Sequence, residues 1–129
     1  MKPLTKILHV EDDKDILEIA GLTLEQLHGF QVASCLTWTE AIEKCAAFQP
    51  DLFLLDVMMP KKTGPELLKD LRKIDGFAHT PAIFMTAKVQ NAEIQSFLDA
   101  GAIAVITKPF DPMTLGDQIR AIWAEAEAA

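Results

Sequence analysis

The sequence is short of basic residues, of long apolar stretches and of cysteine. Twelve Lys and Arg stand against nineteen Asp and Glu, a formal charge of −7. Nothing in that balance would displace counterions from phosphate, so ordinary nucleic-acid binding is excluded. No apolar run approaches the ~18 residues of a membrane span. Ile7–Val10 is too short for a signal-peptide core, so neither membrane insertion nor export is expected. The two cysteines, Cys35 and Cys45, read as free buried thiols of a cytoplasmic protein. Half of the 129 residues are hydrophobic, which excludes intrinsic disorder. At ~150 residues per domain the length predicts one domain over residues 1–129, with its core over about 5–124. Such a domain buries roughly two thirds of its unfolded surface and needs no disulfide or structural metal.

The acidity is uneven. Residues 1–56 carry four Lys and ten Asp or Glu, a net −6, whereas residues 57–129 carry eight Lys or Arg and nine Asp or Glu, a net −1. Glu11, Asp12, Asp13 and Asp15 place four carboxylates in five positions. Such a run ordinarily marks a solvated loop or the start of a helix. This one follows directly on an apolar strand candidate.

Short apolar runs alternate with longer amphipathic ones. Ile7–Val10 reads as a buried strand. Asp13 is placed to cap a helix whose apolar positions Ile16, Leu17, Ala20, Leu24 and Leu27 recur every three or four residues, closed by Gly29. Phe30–Cys35 is a second strand. Thr37 and Glu40 have capping-box spacing ahead of a helix through Phe48, and Pro50 closes that element. Leu52–Leu55 is apolar without alternation, the pattern of a strand covered on both faces, and it ends at Asp56. Val57–Gly64 reads as a loop, and Pro65 opens a helix through Leu67, Leu68 and Leu71. Pro81–Met85 stops at Thr86, and Ala102–Ile106 stops before Thr107-Lys108-Pro109; a helix over Asn91–Ala100 separates these last strands. Asp111-Pro112 predicts the start of a final helix with Leu115, Ile119, Ile122 and Trp123 on one face. Its tail, Ala124–Ala129, is expected to fray. Five strands alternating with five helices predict an α/β fold, a parallel sheet with helices on both faces.

In such a sheet ligands bind outside the carboxyl ends of the strands. Those ends hold Glu11 and Asp12, then Asp56, Thr86 and Lys108, from segments far apart in sequence. Singly, each has a plain alternative: a turn cap, a strand terminus, a surface lysine. Jointly they narrow the chemistry. Clustered carboxylates repel one another unless a cation binds them. Oxygen donors without His or Cys suit Mg²⁺. A lysine and a hydroxyl alongside supply donors for a transferring phosphoryl group, and Asp56 is placed as its nucleophile.

Ile7–Asp13 (ILHVEDD), Leu54–Pro60 (LLDVMMP), Met85–Ala87 (MTA) and Thr107–Phe110 (TKPF) resemble, in order and spacing, the response-regulator receiver domain of two-component signalling. The resemblance runs from Ile7 to about Ala124 and is nearest to the single-domain, chemotaxis-receiver type, with no effector domain expected. It implies a flavodoxin-like, doubly wound (βα)5 sheet in the strand order 2-1-3-4-5. It implies that Asp56 accepts a phosphoryl group from a sensor histidine kinase or histidine phosphotransfer protein, with Mg²⁺ as cofactor. Output would pass to a downstream protein target, from a monomer or weak dimer that is not an enzyme beyond its own phosphorylation and dephosphorylation. Asp12 would ligate Mg²⁺ directly, Glu11 mainly through water, and Met58 through its backbone carbonyl. Thr86 would hydrogen-bond a phosphoryl oxygen. Lys108 would pair with Asp56 before transfer and with the phosphoryl group after it, and Lys108–Pro109 would be a cis peptide. The acidic run also admits Asp12–Asp13 as the metal pair. Glu11–Asp12 is preferred because the family's pair follows the strand's last apolar residue, here Val10.

One position departs from the family. Receivers usually carry Tyr or Phe three residues before the lysine, and Val105 stands there. Val105 is not a ligand, so the chemistry is expected to survive, with the segment Ala87–Asn91 carrying the switch instead. His9 and Trp123 read as packing residues, and Met58-Met59 and Lys61-Lys62 as a loop beside the site. A constitutive adaptor on the same fold, its switch lost at Val105, is the alternative. A flavodoxin is disfavoured because four carboxylates after the first strand would repel a flavin phosphate. Aspartate-nucleophile phosphatases usually need a second Asp two residues after the first, and Met58 stands there.

Overall fold

The structure, a computed structural model, describes residues 2–87 and 90–128. Strands β1 (Lys6–Val10), β2 (Gln31–Cys35), β3 (Leu52–Asp56), β4 (Ala82–Thr86) and β5 (Ala104–Thr107) alternate with five helices. These are α1 (Lys14–Gln26), α2 (Trp38–Phe48), α3 (Gly64–Arg72), α4 (Asn91–Asp99) and α5 (Leu115–Ala128). All pairings are parallel and the order is β2-β1-β3-β4-β5, the flavodoxin-like sheet that was expected. None of the described helices is long and apolar enough to cross a membrane.

Side chains alternate across each strand and sort the core into two layers. Leu8, Val10, Phe53, Leu55 and Phe84 belong to the layer that meets α2, α3 and α4. Ile7, Leu52, Leu54, Ile83 and Met85 belong to the layer that meets α1 and α5. Leu52 to Leu55 are each 0% exposed. Full burial is worth roughly 1.5–3 kcal/mol per large apolar side chain. The position of β3 therefore does not depend on the residue at its end.

The helix starts follow their caps. Asp13 accepts hydrogen bonds from the amides of Asp15 and Ile16. Thr37 accepts from the amide of Glu40, but the Glu40 carboxylate pairs with Lys44 at 3.6 Å, so only half of the expected box forms. A complete capping box lies at Thr63 and Glu66, ahead of α3. Gly29 takes φ +73°, the left-handed conformation suited to leaving α1.

The last helix differs from the expectation at both ends. The Asp111 carboxylate accepts from the amide of Met113 at 2.9 Å, an Asx-type turn, and α5 begins only at Leu115. Its far end stays helical to Ala128 instead of fraying. Trp123 is buried there and its indole N–H donates to the Lys2 carbonyl at 3.0 Å, which ties the last turns to the chain's beginning. β5 is also shorter than its apolar run, because the amide of Ala102 is already used by the Phe97 carbonyl.

α1 and α5 meet through His28. Its Nε2 lies 3.3 Å from the Met113 carbonyl, its Nδ1 3.7 Å from Asp117, and its own carbonyl accepts from Arg120, whose guanidinium covers the Phe30 ring. A Cβ at Gly116 would sit 2.2 Å from the imidazole ring. In an open helix Gly→Ala gains about 1 kcal/mol. Gly116→Ala is instead expected to cost about 1–3 kcal/mol, as overpacking does. Urea denaturation of Gly116→Ala with and without His28→Ala checks this, since removing the ring should abolish the penalty.

Candidate functional site

Parallel order β2-β1-β3 puts the ends of β1 and β3 side by side, where the chain reverses direction across the sheet. Glu11 follows β1 and is 1% exposed; Asp56 ends β3 and is 3% exposed. Asp12 is exposed at the rim. Carboxylate oxygens of Glu11, Asp12 and Asp56 all lie within 4.8 Å of one another. Asp13 is not in this group: its carboxylate accepts hydrogen bonds from the amides of Asp15 and Ile16 at the start of α1.

Lys108 enters from the far side, after β5. Its ammonium lies 2.5 Å from Glu11 Oε1 and 3.2 Å from Asp56 Oδ1. The pairing with Glu11 was not anticipated and it decides the electrostatics. The ammonium pairs with two of the three carboxylates, and it sits closer to Glu11. Asp56 is pushed up to about 7, by burial first and the Glu11 charge second, against the pull of Lys108. Burial alone would lower the Lys108 ammonium, but its two carboxylate partners raise it above its ordinary value.

Thr86 closes β4, 1% exposed, and its carbonyl accepts from the Lys108 amide at 2.9 Å. The Lys108–Pro109 peptide is cis. Met58 turns its side chain outward, 60% exposed, two residues beyond Asp56. Ala87 is exposed beside Thr86, while Lys88 and Val89 of the segment Ala87–Asn91 lie outside the described residues. Val105 is partly buried against the Leu8–Phe84 layer. His9 is fully buried in β1, its imidazole lowered to about 3 by burial first and then by the Lys108 charge, so it packs as a neutral residue. Both cysteines are free and buried.

Gly64 escaped the sequence reading, which takes it as loop punctuation. A Cβ there would lie 2.7 Å from the Asp56 carbonyl oxygen, and the Gly64 amide donates to the Val57 carbonyl at 3.0 Å. The loop thus folds back onto the backbone of Asp56 through a residue with no side chain. The glycine itself was visible; the close approach was not.

Two clefts flank the cluster. One, of about 300 Å³, runs from Asp12 past Trp38 and Met59 to Lys62, whose ammonium sits 4.3 Å above the Trp38 ring and also pairs with Asp70. The other, of about 320 Å³, is almost wholly apolar: Ile16, Ile19, Ala87, Pro109, Phe110 and Pro112 surround Lys108.

A buried carboxylate cluster beside a lysine and a threonine, at the switch point of this sheet, matches one family directly. The family model described as the response regulator receiver domain matches residues 7–120. This chain belongs to that family. It is 35% identical over 124 residues to the alkaline phosphatase synthesis transcriptional regulatory protein PhoP of Bacillus subtilis, covering 96% of this chain and 50% of that protein. It is 34% identical over 117 residues to the phosphate regulon transcriptional regulatory protein PhoB of Escherichia coli, again covering 91% of this chain and 51% of the relative. The chain thus spans about half the length of the curated relatives it matches. Among solved structures, the chemotaxis protein CheY4 of Vibrio cholerae superposes with a TM-score of 0.84 at 29% identity, covering 93% of this chain and 99% of that one. A CheY-like receiver protein of Methanospirillum hungatei gives 0.81 at 31% identity, with 98% of each chain covered. Receiver domains are signalling proteins of two-component systems rather than classical enzymes, and Mg²⁺ and a phosphoaspartate are general properties of the family.

The donors of this receiver fit that ion. All three are carboxylates, the ligands a hard cation prefers, and burial first and the Glu11 charge second hold the Asp56 value up against the pull of Lys108. The pH dependence follows with a definite sign. Asp56 has its folded-state value above its unfolded one, so without divalent cations the stability it contributes is full below about pH 4 and is lost as pH rises to about 7. Asp56→Asn removes the loss. The variant is expected to exceed the wild type by about 1–3 kcal/mol near pH 8, relative to their difference near pH 4. Urea midpoints across that range test it, and a difference that does not change with pH would contradict the assignment.

Proposed function

We propose that this receiver takes a phosphoryl group onto Asp56 from a phosphohistidine of a sensor kinase or histidine phosphotransfer protein, and signals by phosphorylation-dependent contact with a separate protein. The reading treats residues 1–129 as a stand-alone cytoplasmic receiver. The observation that carries it is the buried Asp56 carboxylate held 3.2 Å from the Lys108 ammonium beside Glu11 and Asp12. An Asp56 oxygen attacks phosphorus as the phosphorus–nitrogen bond breaks, and the imidazole leaves with the electron pair and takes up a proton. Glu11, Asp12, Asp56 and the Met58 carbonyl would hold Mg²⁺, which when bound offsets the carboxylate charge and that of the phosphoryl oxygens. Lys108 passes from the Asp56 carboxylate to a phosphoryl oxygen, and the Thr86 hydroxyl donates to another. The apolar cleft around Lys108 supports approach of a protein donor from that side, since its walls leave water little to hold.

The acyl phosphate adds roughly one to two negative charges. Thr86 and Lys108 answer that charge, and the segment after Thr86 relays it to the face made by α4, β5 and α5. Val105 on that face favours a second reading, a constitutive adaptor whose affinity for its partner is the same with and without a phosphoryl mimic.

Incubation with a small phosphodonor and Mg²⁺ is expected to add the mass of one phosphoryl group, and a chelator should prevent the gain. Asp56→Asn should show none, and Lys108→Met should slow it by roughly 10²-fold, the loss typical of one electrostatic donor. An undiminished gain in Asp56→Asn would sink the assignment of the acceptor.

A further inference from the structure

Lys108 pairs with Glu11 and Asp56. Asp12, the most exposed of the three carboxylates, opens instead onto the cleft of about 300 Å³ that ends at Lys62. A second cation thus lines the same cleft as a carboxylate of the cluster. Lys62 is committed elsewhere. Its ammonium lies 4.3 Å over the Trp38 ring and pairs with Asp70, and its side chain is only 24% exposed. Trp38 opens α2 and packs against the Leu8–Phe84 layer, and Asp70 stands on α3, so one loop residue is tied to two helices. The backbone fixes where that side chain starts. Lys61 takes φ +69°, and the Lys62 amide donates to the Pro60 carbonyl at 2.8 Å, a three-residue turn that is rare and strained outside glycine.

A lysine ammonium and a divalent cation are rivals for the same carboxylate, since both are drawn by the one negative charge. A lysine beside a cation site therefore weakens that site unless something holds it back. Each restraint on Lys62 is weak alone at this exposure, one a cation–π contact and the other a half-solvated ion pair. Together they keep the ammonium in place. With either gone, the flexible four-carbon stem is free to swing. The field of the carboxylates, which extends about 8 Å at physiological salt, then draws it along the cleft toward Asp12. A clasp that merely braced the loop would behave differently, because its loss would weaken the site whether or not a lysine stood at position 62.

We infer that Trp38 and Asp70 are positioning residues that hold the Lys62 ammonium back from Asp12, and that Lys62, once released, competes there with Mg²⁺. The inference rests on the receiver reading for the identity of the cation, and deepens it by naming what sets the affinity of that site. The loop that follows the phosphoryl acceptor thereby tunes how much Mg²⁺ the receiver needs before Asp56 reacts.

Calorimetric titration of the full chain with Mg²⁺ tests this. Trp38→Leu and Asp70→Asn should each raise the dissociation constant about three- to tenfold, a difference of about 0.6–1.4 kcal/mol. Trp38→Phe keeps a ring under the ammonium and should stay within about twofold of the wild type. Lys62→Met should bind Mg²⁺ no more weakly than the wild type. In the Lys62→Met background neither Trp38→Leu nor Asp70→Asn should change the constant beyond about twofold. A merely structural role would not give that rescue. Equal weakening with and without Lys62, absence of weakening in either single variant, or weakening by Lys62→Met itself overturns the inference. Urea midpoints without Mg²⁺ show whether Trp38→Leu folds, and if it does not, the Asp70→Asn pair decides alone. Asp12→Asn and the intact mass after a small phosphodonor separate the two readings. Equal Mg²⁺ binding by the wild type and Asp12→Asn removes the cation site and the inference with it. Mg²⁺ binding and phosphoryl gain without the rescue defeat the inference alone, and the rescue without phosphoryl gain defeats the receiver reading alone.

Discussion

The structure turns on one electrostatic problem: two carboxylates buried at adjacent strand ends, a third at the rim, and one ammonium among them. Glu11 and Asp56 are together because β1 and β3 are hydrogen-bonded neighbours, and they stay buried because the strands behind them are apolar on both faces. Lys108 reaches them from the end of β5, two strands beyond β3. Its nearer partner is Glu11, and Asp56 stays raised by burial first and the Glu11 charge second. The turn at Gly64 passes so close to the Asp56 backbone that a Cβ there would lie 2.7 Å from the Asp56 carbonyl oxygen.

The same edge opens onto surfaces of opposite character. Toward α1 and the Pro109–Pro112 loop the wall is apolar and meets Lys108 directly. Toward α2 it is capped by Lys62 stacked on Trp38, a contact that joins the loop after β3 to the start of α2. On the far edge of the sheet, β5 borders an apolar groove in which Glu125 is the one charged lining residue. Thr86 and Val105 lie on neighbouring strands, two residues out of register, so the site and the groove share the β4–β5 pair.

Much of this was legible in the order of the residues. Alternating apolar runs, the cap at Asp13, and polar residues where each apolar run stops were enough for an α/β sheet with Glu11, Asp12, Asp56, Thr86 and Lys108 at its carboxyl edge. Local rules reach that far because a strand's end and a helix's cap are decided by a few neighbouring side chains. They failed where a distant contact overrides the local pattern. The tail of α5 holds its helix because Trp123 bonds the Lys2 carbonyl, and α5 starts late because Asp111 takes the Met113 amide.

Sequence by itself determined the inventory of this receiver: which carboxylates, hydroxyl and ammonium are present, and that each stands at the end of a strand. Tertiary structure alone decided how they share charge. Lys108 sits nearer Glu11 than Asp56, Asp13 is withdrawn into a helix cap, Gly64 abuts a carbonyl, and Arg120 is turned from the groove toward Phe30. The physical reason is that covalent order fixes neighbours along the chain. Coulomb energy and packing depend on separations of a few ångströms between residues that lie tens of positions apart, and only the folded sheet sets those.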